Sequence, residues 1–248
     1  MVKKNRIRIH PSSIFKNLSI FALYGRIVKE TQYLISLHYN MKAIGWDDFP
    51  FFPDGFAGNP SFLYLIFKIL FQEKPQKILE LGSGQSTLFT TRYIKENEDA
   101  ELLILEDYKE WHDRFKTQIF MNERVRYIHS PLQEIKIKNR RLEWYSADFL
   151  SNQDVKYNLI IIDGPRGTYR YSRVGIVNHL PKIIDPENFM LVFDDSFRKG
   201  ETDTIKLVKK ILRKNSIPFI KFCVYGGKRQ TVIASKNKAH LIYAWTLF

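Results

Sequence analysis

Apolar and polar positions alternate along the chain with two different periods, and these periods predict its secondary structure. Residues 12–39 place apolar side chains at helical spacing, and Gly25 predicts a break between two helices within this stretch. Residues 45–60 are rich in glycine and proline and predict a loop. Asn59-Pro60 then supplies an N-cap and a first-turn proline, so a helix is predicted over residues 60–71.

Beyond residue 71, short apolar runs alternate with amphipathic stretches. The predicted strands are 77–80, 101–106, 125–129, 157–163, 189–194, 219–225 and 231–234, and the predicted helices are 86–96, 111–121, 172–184 and 202–214. Strands that alternate with helices form a parallel sheet covered on both faces. Gly226-Gly227-Lys228 predicts a hairpin between the last two strands, which makes one strand antiparallel. The predicted fold class is α/β: a doubly wound, Rossmann-like, seven-stranded sheet, mostly parallel with one antiparallel strand.

The length of 248 residues fits one such domain with a short extension. We predict an N-terminal helical extension at 1–59, a main domain at 60–236 and an apolar C-terminal tail at 237–248. The extension is amphipathic and aromatic-rich, which predicts a lid over the substrate combined with a homodimer contact. A membrane-surface contact or simple packing on the sheet's outer helices are the alternatives. The tail is expected to dock on the N-terminal helices or on another subunit.

Composition limits the compartment and the partners. A single cysteine excludes a disulfide framework and favours a reducing, cytoplasmic environment. No stretch is apolar enough for a transmembrane segment, and polar residues interrupt the apolar run near the basic N-terminus, so no signal peptide is expected. The net charge of +13 permits an acidic partner such as nucleic acid, anionic lipid or an acidic glycan. Because the basic residues are scattered without a block, we favour a compositional bias instead.

The most informative segment is Ile78-Leu79-Glu80-Leu81-Gly82-Ser83-Gly84-Gln85-Ser86-Thr87. A strand runs into an acidic residue, two glycines form a tight turn, and a helix begins. Glycine lets a ligand approach the main chain closely, and amides at a helix N-terminus point toward that ligand. Glu80 would repel a diphosphate, so it favours a ligand that carries an amine. The alternative is a purely structural strand-to-helix turn.

This order of residues resembles the glycine-rich motif of class I S-adenosylmethionine (SAM)-dependent methyltransferases. Glu106 ends the second strand, where the family binds the SAM ribose, and Ser130 follows the third strand, where the family holds the adenine. The resemblance implies SAM as cofactor, bound by Glu80, Gly82, Ser83, Gly84, Gln85, Ser86, Thr87, Glu106, Ser130 and Asp163.

Three carboxylates are predicted to meet at the carboxyl edge of the sheet. Asp163 ends the fourth strand and Asp194-Asp195 ends the fifth, and these strands are neighbours in a doubly wound sheet. Three carboxylates in one site repel one another unless something compensates, and Mg²⁺ or Mn²⁺ with oxygen ligands is the natural solution. We therefore predict Asp163, Asp194 and Asp195 as metal ligands and Asp163 and Asp194 as catalytic. The alternative is that the pair caps a turn and Asp163 contacts SAM alone.

The placement of these acids resembles that of metal-dependent O-methyltransferases such as catechol O-methyltransferase and, more closely, the macrocin-type sugar O-methyltransferases, which carry Asp-Asp at strand five. The loop after Asp163 alternates aromatic and basic residues and is similar to methyltransferases of bacterial polysaccharide loci and to plant glucuronoxylan O-methyltransferases. We predict that Arg166, Tyr169, Arg170 and Arg173 contact the substrate, a small-molecule or glycan acceptor with an acidic group. The alternative is a solvated loop that pairs with acids such as Glu201.

The general base is open at this point. Several related O-methyltransferases use a lysine where this chain has Arg166, and arginine stays protonated. Metal activation alone, Asp163, His129 and His179 are the alternatives.

Other functions fit the motifs less well. Asp-Gly-Pro-Arg after the fourth strand differs from the Pro-Pro-aromatic signature of nucleic-acid amino-methyltransferases, so nucleic acid is not the expected partner. A nicotinamide-dependent dehydrogenase would carry a third glycine, and a spermidine synthase a longer glycine run. A non-catalytic SAM- or nucleotide-binding subunit is the alternative from another class, but the intact acids argue against it.

Overall fold

The computed structural model describes residues 11–48, 51–52, 58–137, 139–152, 154–166 and 170–246, with side chains from residue 23 to residue 245 within these ranges. The helices are α1 (Pro11–Ala43), α2 (Pro60–Glu73), α3 (Gln85–Glu96), α4 (Lys109–Phe115), α5 (Phe149–Asn152), α6 (Lys199–Lys214) and α7 (His240–Thr246). The strands are β1 (Lys77–Leu81), β2 (Glu101–Glu106), β3 (Val125–His129), β4 (Leu132–Ile137), β5 (Arg140–Tyr145), β6 (Leu159–Ile162), β7 (Met190–Phe193), β8 (Phe219–Tyr225) and β9 (Arg229–Ser235). Short 3-10 helices cover Val174–Asn178 and Lys236–Lys238.

Seven strands form one sheet in the order β3-β2-β1-β6-β7-β9-β8. All neighbours from β3 to β7 are parallel, whereas β9 runs antiparallel to both β7 and β8. The predicted α/β fold, with a single antiparallel strand in a seven-stranded sheet, is therefore confirmed. Strands β4 and β5 form a separate antiparallel hairpin.

Every residue of β6 and β7 is buried, as expected for central parallel strands with both faces covered. Successive side chains point to opposite faces, so neighbouring residues of a strand enter different core layers. Ile78 of β1 packs in the layer that contains α2 and α3, whereas Leu79 packs in the layer that contains α6. The sheet is thus a rigid base, and its carboxyl edge collects the residues that follow β1, β2, β6 and β7.

The predicted break at Gly25 is wrong, because α1 continues through it from Pro11 to Ala43. A side chain added at Gly25 would meet no atom within 4 Å. Glycine at such an open helical position costs about 1 kcal/mol relative to alanine, which packing elsewhere along the helix offsets. Leu37 and Met41 of α1 supply that packing, since both are buried in the core.

The helix predicted over 172–184 is also wrong, since the structure has only the 3-10 helix and turns there. Pro181 lacks the amide that a continuing helix requires. Gly175 lies against the indole of Trp144, where an added Cβ would sit 2.1 Å from Cγ. Tertiary contact with β5 therefore sets this segment, a contact that helical periodicity does not reveal. Helix α4 ends at Phe115, earlier than the predicted residue 121.

Helices α1 and α7 both contact the sheet domain. Glu30 of α1 accepts hydrogen bonds from the Ser61 amide and hydroxyl, both at 2.9 Å, and from the Gly227 amide of the β8–β9 turn. Trp245 of α7 is buried, with its ring centroid 5.7 Å from that of Tyr64 and 6.4 Å from that of Tyr33. Among the described helices, none combines the length and apolarity that crossing a membrane requires.

Candidate active site

The loop after β1 packs directly on the loop after β6. The Gly82 amide donates to the Leu105 carbonyl at 2.9 Å, and the Gly82 backbone is left-handed with φ +86°. A Cβ on Gly82 would lie 2.8 Å from the Gly164 nitrogen, which is too close for any other residue. Glycine is therefore required here for both the turn and the contact.

Gly84 differs from Gly82 because its free side faces open space. A Cβ added at Gly84 would meet no atom within 4 Å, and the residue stands directly before the N-terminus of α3. The Gly84 amide itself donates to the Thr87 hydroxyl at 3.0 Å. An open backbone next to a helix N-terminus is the arrangement that a ligand approaching the main chain needs.

Glu80 lies beneath this loop and is fully buried, with 0% of the residue exposed. Its carboxylate accepts hydrogen bonds from the hydroxyls of Ser86 at 2.6 Å, Thr87 at 3.0 Å and Thr90 at 2.8 Å. Burial raises the pKa of Glu80 to about 7, and the three hydroxyls act in the opposite direction. Glu80 therefore holds the start of α3 against β1, and direct contact with a ligand amine stays a prediction.

Glu106 joins the end of β2 to the glycine loop. Its Oε2 accepts from the Ser83 amide at 2.9 Å and the Ser83 hydroxyl at 2.8 Å, and its Oε1 accepts from the Tyr108 amide at 3.0 Å. The Ser83 hydroxyl also lies 2.7 Å from the Tyr127 hydroxyl and 3.1 Å from the Trp111 indole nitrogen. The structure thus brings Ser83 and Glu106 together beside Gly84.

Two further residues predicted to bind SAM have partners within the protein. Ser130 is buried and its hydroxyl donates to the Ser146 carbonyl at 3.2 Å. The Gln85 side-chain oxygen accepts from the Phe52 amide at 2.7 Å. Both lie at the carboxyl edge of the sheet, one after β3 and the other at the start of α3, and their contact with a cofactor stays a prediction.

Asp163, Asp194 and Asp195 converge as the sequence predicts. Each offers an oxygen, and these three oxygens lie within 4.8 Å of one another. Asp194 and Asp195 are buried, whereas 24% of the Asp163 side chain is exposed. Burial, followed by the neighbouring Asp194 carboxylate, raises the pKa of Asp163, and burial with the Asp195 charge raises the pKa of Asp194.

The chain supplies its own cations to this cluster. Arg173 is buried and lies 2.9 Å from an Asp163 oxygen and 3.6 Å from an Asp195 oxygen, and it donates to the Asp194 carbonyl at 2.9 Å. The Lys228 ammonium lies 3.7 Å from Asp194 Oδ2 and 3.4 Å from Asp195 Oδ1. Arg198 pairs with Asp195 at 2.7 Å. These cations reduce the repulsion among the three carboxylates. The sequence analysis assigned that role to a metal ion, and the side chains supply part of it.

Sequence reasoning missed the role of Lys228, although the topology contains the signal. Strand β9 is antiparallel to β7, with Thr231 opposite Phe193, so the β8–β9 turn lies at the carboxyl end of β7. Lys228 in that turn must therefore come close to Asp194. The hairpin was predicted, but its place in the strand order was not used.

Two oxygens of the cluster test whether a divalent cation fits. Asp194 Oδ2 and Asp195 Oδ1 are buried and accept no hydrogen bond from the described part of the chain. Both face the Lys228 ammonium, which is itself partly exposed. Buried carboxylate oxygens that accept no hydrogen bond are suitable ligands for Mg²⁺ or Mn²⁺, so the donor set fits such an ion in place of the Lys228 ammonium.

Comparisons with known proteins address the fold. No protein-family model matches the chain, and no curated protein matches it significantly in sequence. Among solved structures, the SAH-bound methyltransferase PaMTH1 of Podospora anserina is similar, with 15% identity, a TM-score of 0.52, and coverage of 94% of this chain and 99% of that one. An O-methyltransferase from Bacillus cereus in complex with SAH has 13% identity, a TM-score of 0.55, and coverage of 83% and 91%.

The O-methyltransferase TomG of Streptomyces achromogenes, involved in tomaymycin synthesis and solved with SAM, has 13% identity and a TM-score of 0.51 over 82% of this chain and 89% of that one. The chain has a methyltransferase fold. Identities this low establish the fold alone, so activity has to be argued from the residues at the carboxyl edge.

The arginines of the segment after β6 have different surroundings: Arg166 and Arg170 are exposed, whereas Arg173 is buried in the acidic cluster. The Arg166 guanidinium lies 4.2 Å from the centroid of the Tyr108 ring, and Arg170 pairs with Asp203 at 2.8 Å. Arg173, predicted to contact substrate, is only 3% exposed and lies inside the acidic cluster. Tyr169 lies outside the described residues. Arg166 and Arg170 are therefore the described cations of this loop that a substrate can reach.

The two histidines considered as general base have different surroundings. The His179 Nδ1 atom lies 2.7 Å from the Ser151 hydroxyl, its ring packs on Trp144, and burial lowers its pKa. His129 ends β3 opposite Glu106, and its ring lies 6.0 Å from that of His112. Of the alternatives, Asp163 is the group that lies within the acidic cluster and is also partly exposed.

Proposed function

We propose that the protein is a SAM-dependent O-methyltransferase that transfers a methyl group to a hydroxyl of a sugar or glycan. The observation that carries this proposal is the open backbone of Gly84, next to Glu106 and at the same sheet edge as the acidic cluster. The fold supports it because methyltransferases with SAM or SAH bound share this architecture.

SAM fits the residues around the glycine loop. Gly82 and Gly84 keep side chains away from the loop, so the amino-acid part of SAM can lie along the backbone. Glu106 carries the carboxylate that accepts from ribose hydroxyls. In this structure its oxygens hold Ser83 and Tyr108, so ribose binding requires those hydrogen bonds to be shared or exchanged.

The acidic cluster is assigned to the acceptor hydroxyl. Methyl transfer breaks the bond from sulfur to the methyl carbon and forms a bond to the acceptor oxygen, whose proton must go to a base. Asp163 is partly exposed and lies one residue from Gly164, which packs on the glycine loop. We therefore assign to Asp163 the contact with the acceptor hydroxyl and the acceptance of its proton, while SAH leaves as the other product; Asp194 is the neighbouring carboxylate of the cluster.

Divalent metal is part of the proposal. Asp163, Asp194 and Asp195 would hold Mg²⁺ or Mn²⁺, and Asp194 Oδ2 and Asp195 Oδ1 are the oxygens without a hydrogen bond among the described groups. A bound divalent ion lowers the pKa of a ligated hydroxyl and orients it. Arg173 and Arg198 hold the carboxylates in place by ion pairs. The Lys228 ammonium lies next to Asp194 Oδ2 and Asp195 Oδ1, the two oxygens assigned to the metal ion.

We also propose that the protein is a cytoplasmic homodimer that forms through α1. Helix α1 exposes Leu23, Tyr24, Ile27 and Val28, each more than half accessible. Their spacing places them on one face of the helix, as a second copy of the helix would need. Light scattering of the purified protein checks this point, and a monomer at all concentrations would contradict it.

Transfer of labelled methyl groups from SAM tests the proposed activity. Acidic and neutral oligosaccharides serve as acceptors, and Asp163→Asn is compared with Asp99→Asn, which changes an exposed acid in the turn before β2, at the opposite end of that strand from Glu106. We expect transfer by the wild type and by the Asp99 variant, and loss of at least about tenfold in the Asp163 variant. Equal activity of both variants would remove Asp163 from the mechanism. Binding of NADH without binding of SAM would overturn the proposed function.

A further inference from the structure

Two adjoining grooves lie beside the loop that leaves the acidic cluster. One, of about 500 Å³, lies between the β4–β5 hairpin and α6, and the other, of about 490 Å³, lies between the same hairpin and residues 165–166 and 170–172. Leu142 and Tyr171 line both grooves, so the two adjoin at those residues. Each has the volume of a site for a small organic molecule, and together they fit a ligand of several units.

The side chains that line these grooves include more cations than carboxylates. Six cations line them, against the two carboxylates of Asp203 and Glu143: Arg140, Lys206, Lys210, Arg141, Arg166 and Arg170. Asp203 already pairs with Arg170 at 2.8 Å and with Lys206 at 3.3 Å. Arg140, Arg166 and Lys210 form no ion pair with any described carboxylate. The positive charge along the grooves thus exceeds the negative charge that pairs with it, unlike a charge scattered evenly over the surface.

Tyr171 lies where the two grooves meet, and its backbone has an unfavourable conformation. Its backbone is left-handed with φ +75°, which is unfavourable for a bulky residue. The Arg140 and Arg170 guanidiniums lie 4.6 Å and 4.8 Å from the centroid of its ring, and its hydroxyl donates to Asp203 at 3.2 Å. These contacts fix two guanidiniums in position before a ligand arrives.

The chemistry of this surface favours an acidic glycan over nucleic acid. Single-stranded nucleic acids are held by bases that stack on free aromatic rings. The Tyr171 ring is already in contact with two guanidiniums. Fixed guanidiniums match carboxylates and phosphates, both of which accept two parallel hydrogen bonds from them, so among the described residues the occupied ring of Tyr171 is what favours the glycan.

We infer that the two grooves bind a chain of several sugar units that carries carboxylates, such as a polyuronate, and that they extend the acceptor site away from Asp163. This inference rests on the proposed function, because it takes the glycan acceptor of that function as the occupant. Arg166 and Arg170 contact the unit near the reacting hydroxyl, and Arg140 and Lys210 contact units farther along the chain.

Calorimetry with defined sugars tests the inference. The probes are tetragalacturonic acid, its monomer galacturonic acid, the neutral maltotetraose and an eight-residue oligothymidylate. Arg140→Gln/Lys210→Gln is compared with Lys95→Gln/Lys209→Gln, which removes the same charge from positions on α3 and α6 that do not line the grooves. Binding of SAH by every variant is measured in parallel.

The acidic tetramer should bind at least about tenfold more tightly than the monomer, and the Arg140/Lys210 variant should lose at least about tenfold in affinity for the tetramer. The control variant should stay within about twofold of the wild type, SAH affinity should be unchanged, and added salt should weaken tetramer binding. Equal affinity for maltotetraose, tighter binding of the oligothymidylate, or equal loss in the control would overturn the inference. If the wild type does not bind SAH, the proposed function is overturned, regardless of the affinities for the sugars.

Discussion

Glu80 provides a quantitative test of how the glycine loop is supported. Its carboxyl group is fully buried, and burial raises its pKa from the ordinary 4.5 to about 7. The folded state therefore binds a proton at Glu80 more tightly than the unfolded state does. Stability from this group is complete below pH 4.5 and is lost as the pH rises toward and through 7, because the folded protein must then bury a charge.

The size of the effect follows from the shift. Between pH 5 and pH 8 the folded state binds more protons at Glu80 than the unfolded state does. Integrated over this pH range, the difference amounts to roughly two pH units. At about 1.4 kcal/mol per unit, the free energy of unfolding should fall by roughly 2.5 kcal/mol from Glu80 alone. Glu80→Gln keeps the shape but does not titrate. Its amide oxygen can accept from the hydroxyls of Ser86 and Thr87, and its amide nitrogen can donate to the Thr90 hydroxyl, which itself donates to the Thr87 carbonyl.

Urea unfolding at pH 5 and pH 8 measures the difference. Asp163 and Asp194 also have raised pKa values, so wild type and variant share part of the pH dependence. The variant should show a smaller loss between the two pH values, by roughly 2.5 kcal/mol. Glu98→Gln, at an exposed position, should follow the wild type. An identical loss in Glu80→Gln and wild type would refute the argument that a buried carboxylate opposes folding at neutral pH.

Three further predictions follow from single contacts. Gly82→Ala should destabilise the protein by at least about 2 kcal/mol in thermal unfolding, because it adds a backbone clash to a left-handed φ. Gly45→Ala is the control and should cost only about 1 kcal/mol, because Gly45 has φ +73° but lies in open space. Arg173→Met should cost about 3–5 kcal/mol in urea unfolding, since it removes the ion pair of Asp163 and one of the cations that face the acidic cluster, and a loss below 1 kcal/mol would contradict the assigned pairing. Lys228→Met should strengthen Mn²⁺ binding at least about threefold in calorimetry, because the ammonium and the metal ion compete for the same oxygens; no binding by either protein would remove the metal from the account.

Local sequence signals predicted the scaffold of the site well. The strand, glycine turn and helix from Lys77 to Glu96 depend on neighbouring residues, and their predicted bounds agree with the structure within one residue. The convergence of Asp163 with Asp194 follows from the strand order of a doubly wound sheet, which the sequence also indicates.

Interactions between distant segments explain what the sequence did not predict. Arg173 looked like a loop residue available to substrate, yet it is buried against acids from two strands. The β4–β5 hairpin packs its Trp144 on Gly175, and that contact replaces the expected helix. Glu80 carried the expected motif, but its three hydroxyl partners lie on the following helix and hold the carboxylate away from solvent. Each case requires knowledge of which elements pack together.

Binding of SAH to Gly84→Val tests the central claim most directly. The structure leaves open space around the Cβ that the variant adds, so we expect it to fold with nearly unchanged thermal stability. If SAM lies along this backbone, valine occupies its place, and calorimetry should show binding by the wild type and a loss of at least about a hundredfold in the variant. SAH affinity equal in both proteins, or absent in the folded wild type, would contradict the assignment of the glycine loop as the SAM site.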